Sequence, residues 1–361
     1  MKRVFISDCE GPISKNDNAF EITAQFVPNG DRLFTLISKY DDVLADVLRK
    51  PSYSAGSTLK LVVPFLKAYS ITDRQMEEFS AQNLILIANT KDTLQHVKAV
   101  ASAFIVSTSY EHYIKALCKA LDFPYEHTYC TKLSIEKYAV AEQETVRLKE
   151  IAREIAQMPM ITIPPGAKTL EDFSSVDQET IRQLDKIFWS KIPNMSLGRI
   201  LSEVTTVGGS QKAAAIEDAV AKVNVPLEDV MYVGDSITDV EAFRLVRENG
   251  GLTVSFNGNG YAVRNAEISV LSENNLVIAV IADVFCRQGK KAALNLVENW
   301  NLEALEHHGV VSLSLLDHLF TLHPQTLPKV QIVTAENMET VTKKSSEFRK
   351  KVRGEAIGKL G

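Results

Sequence analysis

Asp8-Cys9-Glu10-Gly11 sets two carboxylates one residue apart, directly after the apolar run Val4-Phe5-Ile6 and before a break at Gly11-Pro12. A hydroxyl cluster, Ser107-Thr108-Ser109, closes a second apolar run, Ala103-Phe104-Ile105-Val106. Lys212 sits at the start of a helical pattern that opens on Gly208-Gly209-Ser210. Gly234-Asp235-Ser236-Ile237-Thr238-Asp239 follows Val230-Met231-Tyr232-Val233 and adds two more carboxylates. Three aspartates at strand ends make a hard oxygen site suited to Mg²⁺, which prefers octahedral oxygens and keeps several waters. One lysine and a set of hydroxyls supply the point charge and the donors that a bound phosphate requires. Metal and lysine together would neutralise a phosphate enough for a carboxylate to approach it. An aspartate can then act as a covalent nucleophile, splitting one hard transfer into two easier ones.

Such a constellation needs elements that bring distant stretches together. Short apolar runs at 4–6, 103–106, 125–130, 230–234 and 252–256 read as strands, and helical periodicity fills the segments between them. Strands alternating with helices predict an α/β fold with a Rossmann-like parallel sheet, whose ligands bind beyond the carboxyl ends of the strands. Two mostly helical stretches interrupt the alternation. The predicted organisation is a core from 1–14, 101–133 and 204–330, a helical cap over 15–100, a second helical insertion over 134–203 and a helical tail over 331–361. Within the second insertion, 134–158 reads as one long exposed helix, being rich in Glu, Lys, Ala, Arg and Gln.

Composition narrows the classes. At 361 residues, 45% hydrophobic and 24% charged, the chain has ample apolar surface for a packed core. Its 45 acidic and 40 basic residues give a net charge of −5, which supplies no basic field for nucleic acid. Apolar runs such as Leu84–Ala88 and Leu276–Ala282 are far too short to insert in a membrane, and Met1-Lys2-Arg3 precedes only three apolar residues, too few for a signal peptide. Cys9, Cys118, Cys130 and Cys286 show no framework spacing, so the expected setting is reduced and cytoplasmic.

In this order, the four stretches resemble the motifs of the haloacid dehalogenase-like superfamily. The resemblance implies a Mg²⁺-dependent phosphatase acting on a small phosphorylated metabolite. Asp8 would be the nucleophile, and Ser107, with Thr108 beside it, and Lys212 would bind the phosphoryl oxygens. Asp8, Asp235 and the backbone carbonyl of Glu10 would hold the metal, with Asp239 beside it and Ser236 adding a contact. Most phosphatases of the family carry Asp where this chain has Glu10, the expected acid and base. An Asp-x-Glu-Gly opening is similar to a phosphoserine phosphatase-like branch, some of whose members pass phosphate to homoserine. Some archaeal proteins with an Asp-Cys-Glu-Gly-Pro-like opening are instead associated with hydrogenases, which would make the chain a non-catalytic subunit or regulator. The resemblance leaves the oligomeric state open.

Taken singly, each signal also has an ordinary structural explanation: Asp8 and Asp235 as turn or cap residues, Ser107 as a cap, Lys212 as a solvated helix charge. Asp17 lies where the resemblance implies an acidic group for a substrate amine, and Arg49, Lys50 and Lys60 flank the Pro51–Thr58 loop, where they could read a carboxylate. Cys9 should point to the opposite strand face and pack in the core. His307, His308, His318 and His323 show no metal-ligand spacing. The basic and acidic residues from Thr342 to Lys359 read as a solvated helix.

Overall fold

The computed structural model describes residues 3–307 and 309–360. Its frame is a seven-stranded sheet in the order β3-β2-β1-β4-β5-β6-β7. The strands are β1 (Val4–Ser7), β2 (Ser102–Tyr110), β3 (Thr128–Thr131), β4 (Val230–Gly234), β5 (Leu252–Phe256), β6 (Ile268–Leu271) and β7 (Lys329–Ile332). All pairings are parallel except β6 with β7. The α/β class with a Rossmann-like parallel core is the one predicted.

Side-chain alternation explains why these short runs become strands. Phe5, Ala103, Ile105, Met231 and Val233 enter one apolar core, while Val4, Ile6, Phe104, Val106, Val230 and Tyr232 enter another on the opposite face. A parallel sheet covered on both faces needs this near-continuous apolar sequence. The strand order reverses between β1 and β4, whose registers pair Ser7 with Val233. That reversal opens a crevice at their carboxyl ends.

On one face the helix Leu276–Gln288 is buried throughout from Leu276 to Cys286, packed against the helices Thr90–Val100, Lys290–Glu298 and Leu313–Leu322. Asp283, the carboxylate within it, is satisfied by His96 at 2.9 Å, Arg287 at 3.0 Å and the Ser312 amide at 2.9 Å. β7 has few apolar residues and sits at the sheet edge, which is why periodicity does not reveal it.

Helices from both helical stretches share a third apolar interior. Leu33, Ile37, Tyr40 and Phe65 from the first pack with Leu148, Ile151, Ile155, Leu184 and Phe188 from the second. The second stretch does not form one long exposed helix. Its helix spans Glu142–Gln157 and buries Leu148, Ile151, Ala152, Ile155 and Ala156, a stripe at three- and four-residue spacing. Tyr40 ties the two stretches together: its hydroxyl donates to Asp185 at 2.5 Å, accepts from Trp189 Nε1 at 2.7 Å, and its ring stacks on Phe188. Replacing Tyr40 with Phe leaves Asp185 and Trp189 short of a partner without changing the ring. We expect a loss of about 1–3 kcal/mol in urea unfolding. A loss below about 0.5 kcal/mol would show that this hydroxyl does not join the stretches.

Candidate active site

β1 ends on Ser7, and the next residue, Asp8, donates its amide to the Val233 carbonyl at 2.8 Å, so β1 and β4 stay in register to their last residues. The Asp8 carboxylate accepts the Cys9 amide at 2.7 Å. Cys9 itself packs in the core, as its place on the strand requires. The chain then turns through Gly11, whose φ of +108° favours glycine. Space demands glycine there too, because a Cβ would lie 2.0 Å from Asp235 Oδ2.

After β4, Asp239 folds back and accepts the amides of Asp235 and Ser236, each at 2.9 Å. Its other oxygen accepts the Tyr232 hydroxyl at 2.6 Å and Lys212 Nζ at 2.7 Å. Lys212 lies on the helix Ser210–Val223, is 0% exposed, and reaches Asp8 Oδ2 at 2.6 Å. One ammonium thus bridges the carboxylates that follow two different strands. The helix start is tied to the loop after β4, the Gly209 amide donating to the Thr238 carbonyl at 3.0 Å. Oxygens of Asp8, Asp235 and Asp239 lie within 4.8 Å of one another, all buried. This donor set fits a hard divalent cation.

Electrostatics separates the carboxylates. Burial pushes Asp8 up to about 7, outweighing the pull of Lys212. Burial also raises Asp239, but Lys212 and the hydrogen bonds it accepts outweigh that and hold it below the usual range. Lys212 would be lowered by burial, yet Asp239 and Asp8 keep it above its ordinary value, hence charged. Glu10 is pushed well above the usual range by burial and by neighbouring Asp17. Its Oε1 accepts the Asn18 amide at 2.7 Å. Asp17 caps the same helix, Asn18–Phe26, by accepting the Phe20 amide at 3.0 Å.

Ser107 is buried, its hydroxyl 3.1 Å from that of Ser109. Thr108 lines a cavity of about 90 Å³ together with Asp8, Glu10, Asp17 and Asp235, and its hydroxyl has no partner among the described residues. Asp41 and Asp42, which sequence reasoning missed, line this cavity from the opposite side. Their signal is faint, since both sit in an amphipathic helix, Gly30–Asp42, that reads as ordinary packing. Arg49 and Lys50 do not line the cavity: Arg49 is exposed and donates to the Asp46 carbonyl, while Lys50 lies 3.6 Å from the centre of the Trp189 ring. Lys60 stands over the Tyr53 ring. Of the histidines, His318 meets Asn89, His323 meets Asn274 and His307 meets the Glu303 carbonyl. His308 lies outside the described residues. A larger groove of about 720 Å³, between Leu271, Leu327 and Phe348, shares no residue with the cavity.

The C-terminal helix Met338–Arg353 departs from its expected solvated state. Arg349 and Arg353 both bind Asp235 Oδ2, Arg353 at 3.0 Å. Val341, Ser345, Arg349 and Arg353 form its buried stripe at four-residue spacing, and two of its four positions are arginines that a hydropathy pattern assigns to solvent. Its lysines Lys343, Lys344 and Lys351 stay exposed.

Comparison with known proteins follows this geometry. Residues 69–283 match the family model for haloacid dehalogenase-like hydrolases. A gene product of Archaeoglobus fulgidus is similar over the whole chain, at 25% identity and a TM-score of 0.80, with 100% of this chain and 99% of that one covered. A substrate-bound phosphoserine phosphatase aligns at 12% identity and a TM-score of 0.45, covering 77% and 97% of the two chains. A phosphoserine phosphohydrolase-like protein from Francisella tularensis aligns at 14% identity and a TM-score of 0.40, covering 71% and 87%. No curated protein matches the chain in sequence. Among the described residues, no helix is long and apolar enough to cross a membrane. The motif order, the sheet and the matched residues agree, and the chain belongs to the haloacid dehalogenase-like hydrolases.

Proposed function

We propose that this hydrolase cleaves a small phosphomonoester by way of a phosphoaspartate on Asp8. The observation that carries the reading is the bridge of Lys212 Nζ between Asp8 at 2.6 Å and Asp239 at 2.7 Å, inside a buried cluster at the strand-order reversal. An ammonium held there stands ready beside the nucleophile, where a phosphoryl oxygen must come to rest.

The reaction runs in two balanced steps. Asp8 forms a bond to phosphorus as the ester P–O bond breaks, and Glu10 gives its proton to the departing oxygen. Water then attacks phosphorus, Glu10 takes the water proton, and the Asp8–phosphorus bond breaks to release phosphate. Burial and Asp17 raise the affinity of Glu10 for its proton, the direction that an acid requires. Ser107 and Thr108 lie on β2, next to β1, and offer hydroxyls to the phosphoryl oxygens. Asp8, Asp235 and the Glu10 carbonyl would hold Mg²⁺, and Asp239, whose two oxygens are already engaged, would orient this set. Bound there, Mg²⁺ would supply charge neutralisation for the phosphoryl group. A cavity of about 90 Å³ suits a small substrate, and Asp17, Asp41 and Asp42 add acidic groups to a lining that also includes Arg349 and Arg353. Such a lining favours a substrate whose remainder is polar, with Asp17 the residue that the family resemblance sets against an amine.

Two outcomes test the reading. Glu10→Gln should slow the first step, read as single-turnover release of the alcohol, about 10²-fold on alkyl phosphates yet act only slightly on that step with p-nitrophenyl phosphate, whose leaving group needs no proton. Equal losses across a leaving-group series would remove Glu10 from the acid role. Asp8→Asn should abolish turnover while leaving a more stable protein at high pH. The sign follows from linkage: a folded-state value of about 7 against 3.8 for the ordinary carboxylate means Asp8 costs stability once pH rises from about 4 through 7. In metal-free buffer the variant should melt roughly 3 °C or more above the parent at pH 8, with the gap closing by about pH 4. A gap that does not change with pH would refute the raised Asp8. Turnover that survives the substitution would refute the nucleophile.

A further inference from the structure

The C-terminal helix is docked in an unusual way. Ser345 Oγ donates to the Gly258 carbonyl at 2.6 Å, which seats the middle of the helix over the loop after β5. Four residues on, Arg349 binds both the carboxylate and, at 3.2 Å, the carbonyl of Asp235. After four more, Arg353 binds the same carboxylate oxygen at 3.0 Å and reaches the carbonyls of Lys15 and Asn16, the first of these at 3.0 Å. The two guanidiniums are only 2% and 9% exposed. Arg349 Nε has no hydrogen-bond partner among the described residues.

Two buried like charges converging on one oxygen are costly, and the carboxylate of Asp235 is what offsets that cost. The same carboxylate belongs to the trio that fits a divalent cation. A cation on Asp235 would add positive charge beside two guanidiniums in a dry site, where repulsion is least screened. Gly354, at φ +85°, ends the helix, whose outer face carries exposed lysines, while Leu360 beyond it is buried in the interior shared by the helical stretches.

We infer that the C-terminal helix and a divalent cation compete for Asp235, with Arg349 and Arg353 serving as built-in counter-ions that withdraw when the metal loads. This rests on the metal reading proposed above. It assigns both arginines, which also line the cavity, to control of metal occupancy.

Mn²⁺ titration of the full chain by calorimetry, paired with hydrogen exchange, tests it. The Arg349→Gln/Arg353→Gln double variant should bind Mn²⁺ at least tenfold tighter than the parent. In the unmodified chain, saturating Mn²⁺ should speed amide exchange across 338–353 at least tenfold while the sheet stays protected. Parent protein that binds Mn²⁺ with this helix still fully protected would overturn the competition and leave the metal reading intact. Weaker binding by the double variant would likewise overturn it, showing that the arginines orient Asp235 for the ion. Failure of both proteins to bind Mn²⁺ at millimolar concentration would overturn the metal reading, and the competition with it.

Discussion

Charge neutrality in a dry crevice governs this structure. Asp8, Asp235 and Asp239 bring three buried carboxylates to the ends of β1 and β4, and Lys212, Arg349 and Arg353 answer them with three buried cations. None of these groups can be taken out of water alone, since an unpaired buried charge costs several kcal/mol. Each therefore dictates where its partner's backbone must lie. Lys212 fixes the helix after Gly209 against two strands, and the arginines fix a helix more than a hundred residues from Asp235 in sequence. The strained Gly11 turn belongs to the same constraint, because any side chain there would displace the Asp235 carboxylate.

The sheet makes this clustering possible. Reversal of strand order between β1 and β4 leaves their ends side by side with no crossover passing above them. Tyr232, on β4 itself, points its hydroxyl up to Asp239 and so uses a core position to buttress the site from below. The geometry of the carboxylate cluster is held close to strand ends and first helical turns, which move less than loops.

Much of this was legible in the sequence because its signals are local. Val4–Ile6 and Val230–Val233 announce strands by composition, and the aspartates follow directly in the chain. The three aspartates and Lys212 group together from the sequence alone. Other features depend on contacts between distant segments. The shared interior of Tyr40, Phe65, Leu184 and Phe188 joins helices whose individual periodicities say only that each has an apolar face. Helix Glu142–Gln157 reads as exposed when charges are counted and as buried when the stripe Leu148–Ile151–Ile155 is followed. The arginines were hardest, because a buried guanidinium is recognisable only once its carboxylate is known to be near. Their spacing with Val341 and Ser345 was the one sequence trace.

Glutamate at position 10 acquires a physical reason from its surroundings. The carboxylate reaches the Asn18 amide at 2.7 Å, so it occupies the start of the helix that Asp17 caps. Two acidic side chains sharing one helix N-terminus repel each other, and burial together with that repulsion raises the affinity of Glu10 for a proton. A shorter aspartate would fall about one methylene short of that amide. It would lose both the hydrogen bond and the tie between the acid and the first helix of the 18–82 stretch. Position 10 thus couples the proton affinity of this carboxyl group to the placement of the helix that begins at Asn18. Any motion of that helix changes the affinity of the acid for its proton as well as the shape of the cavity.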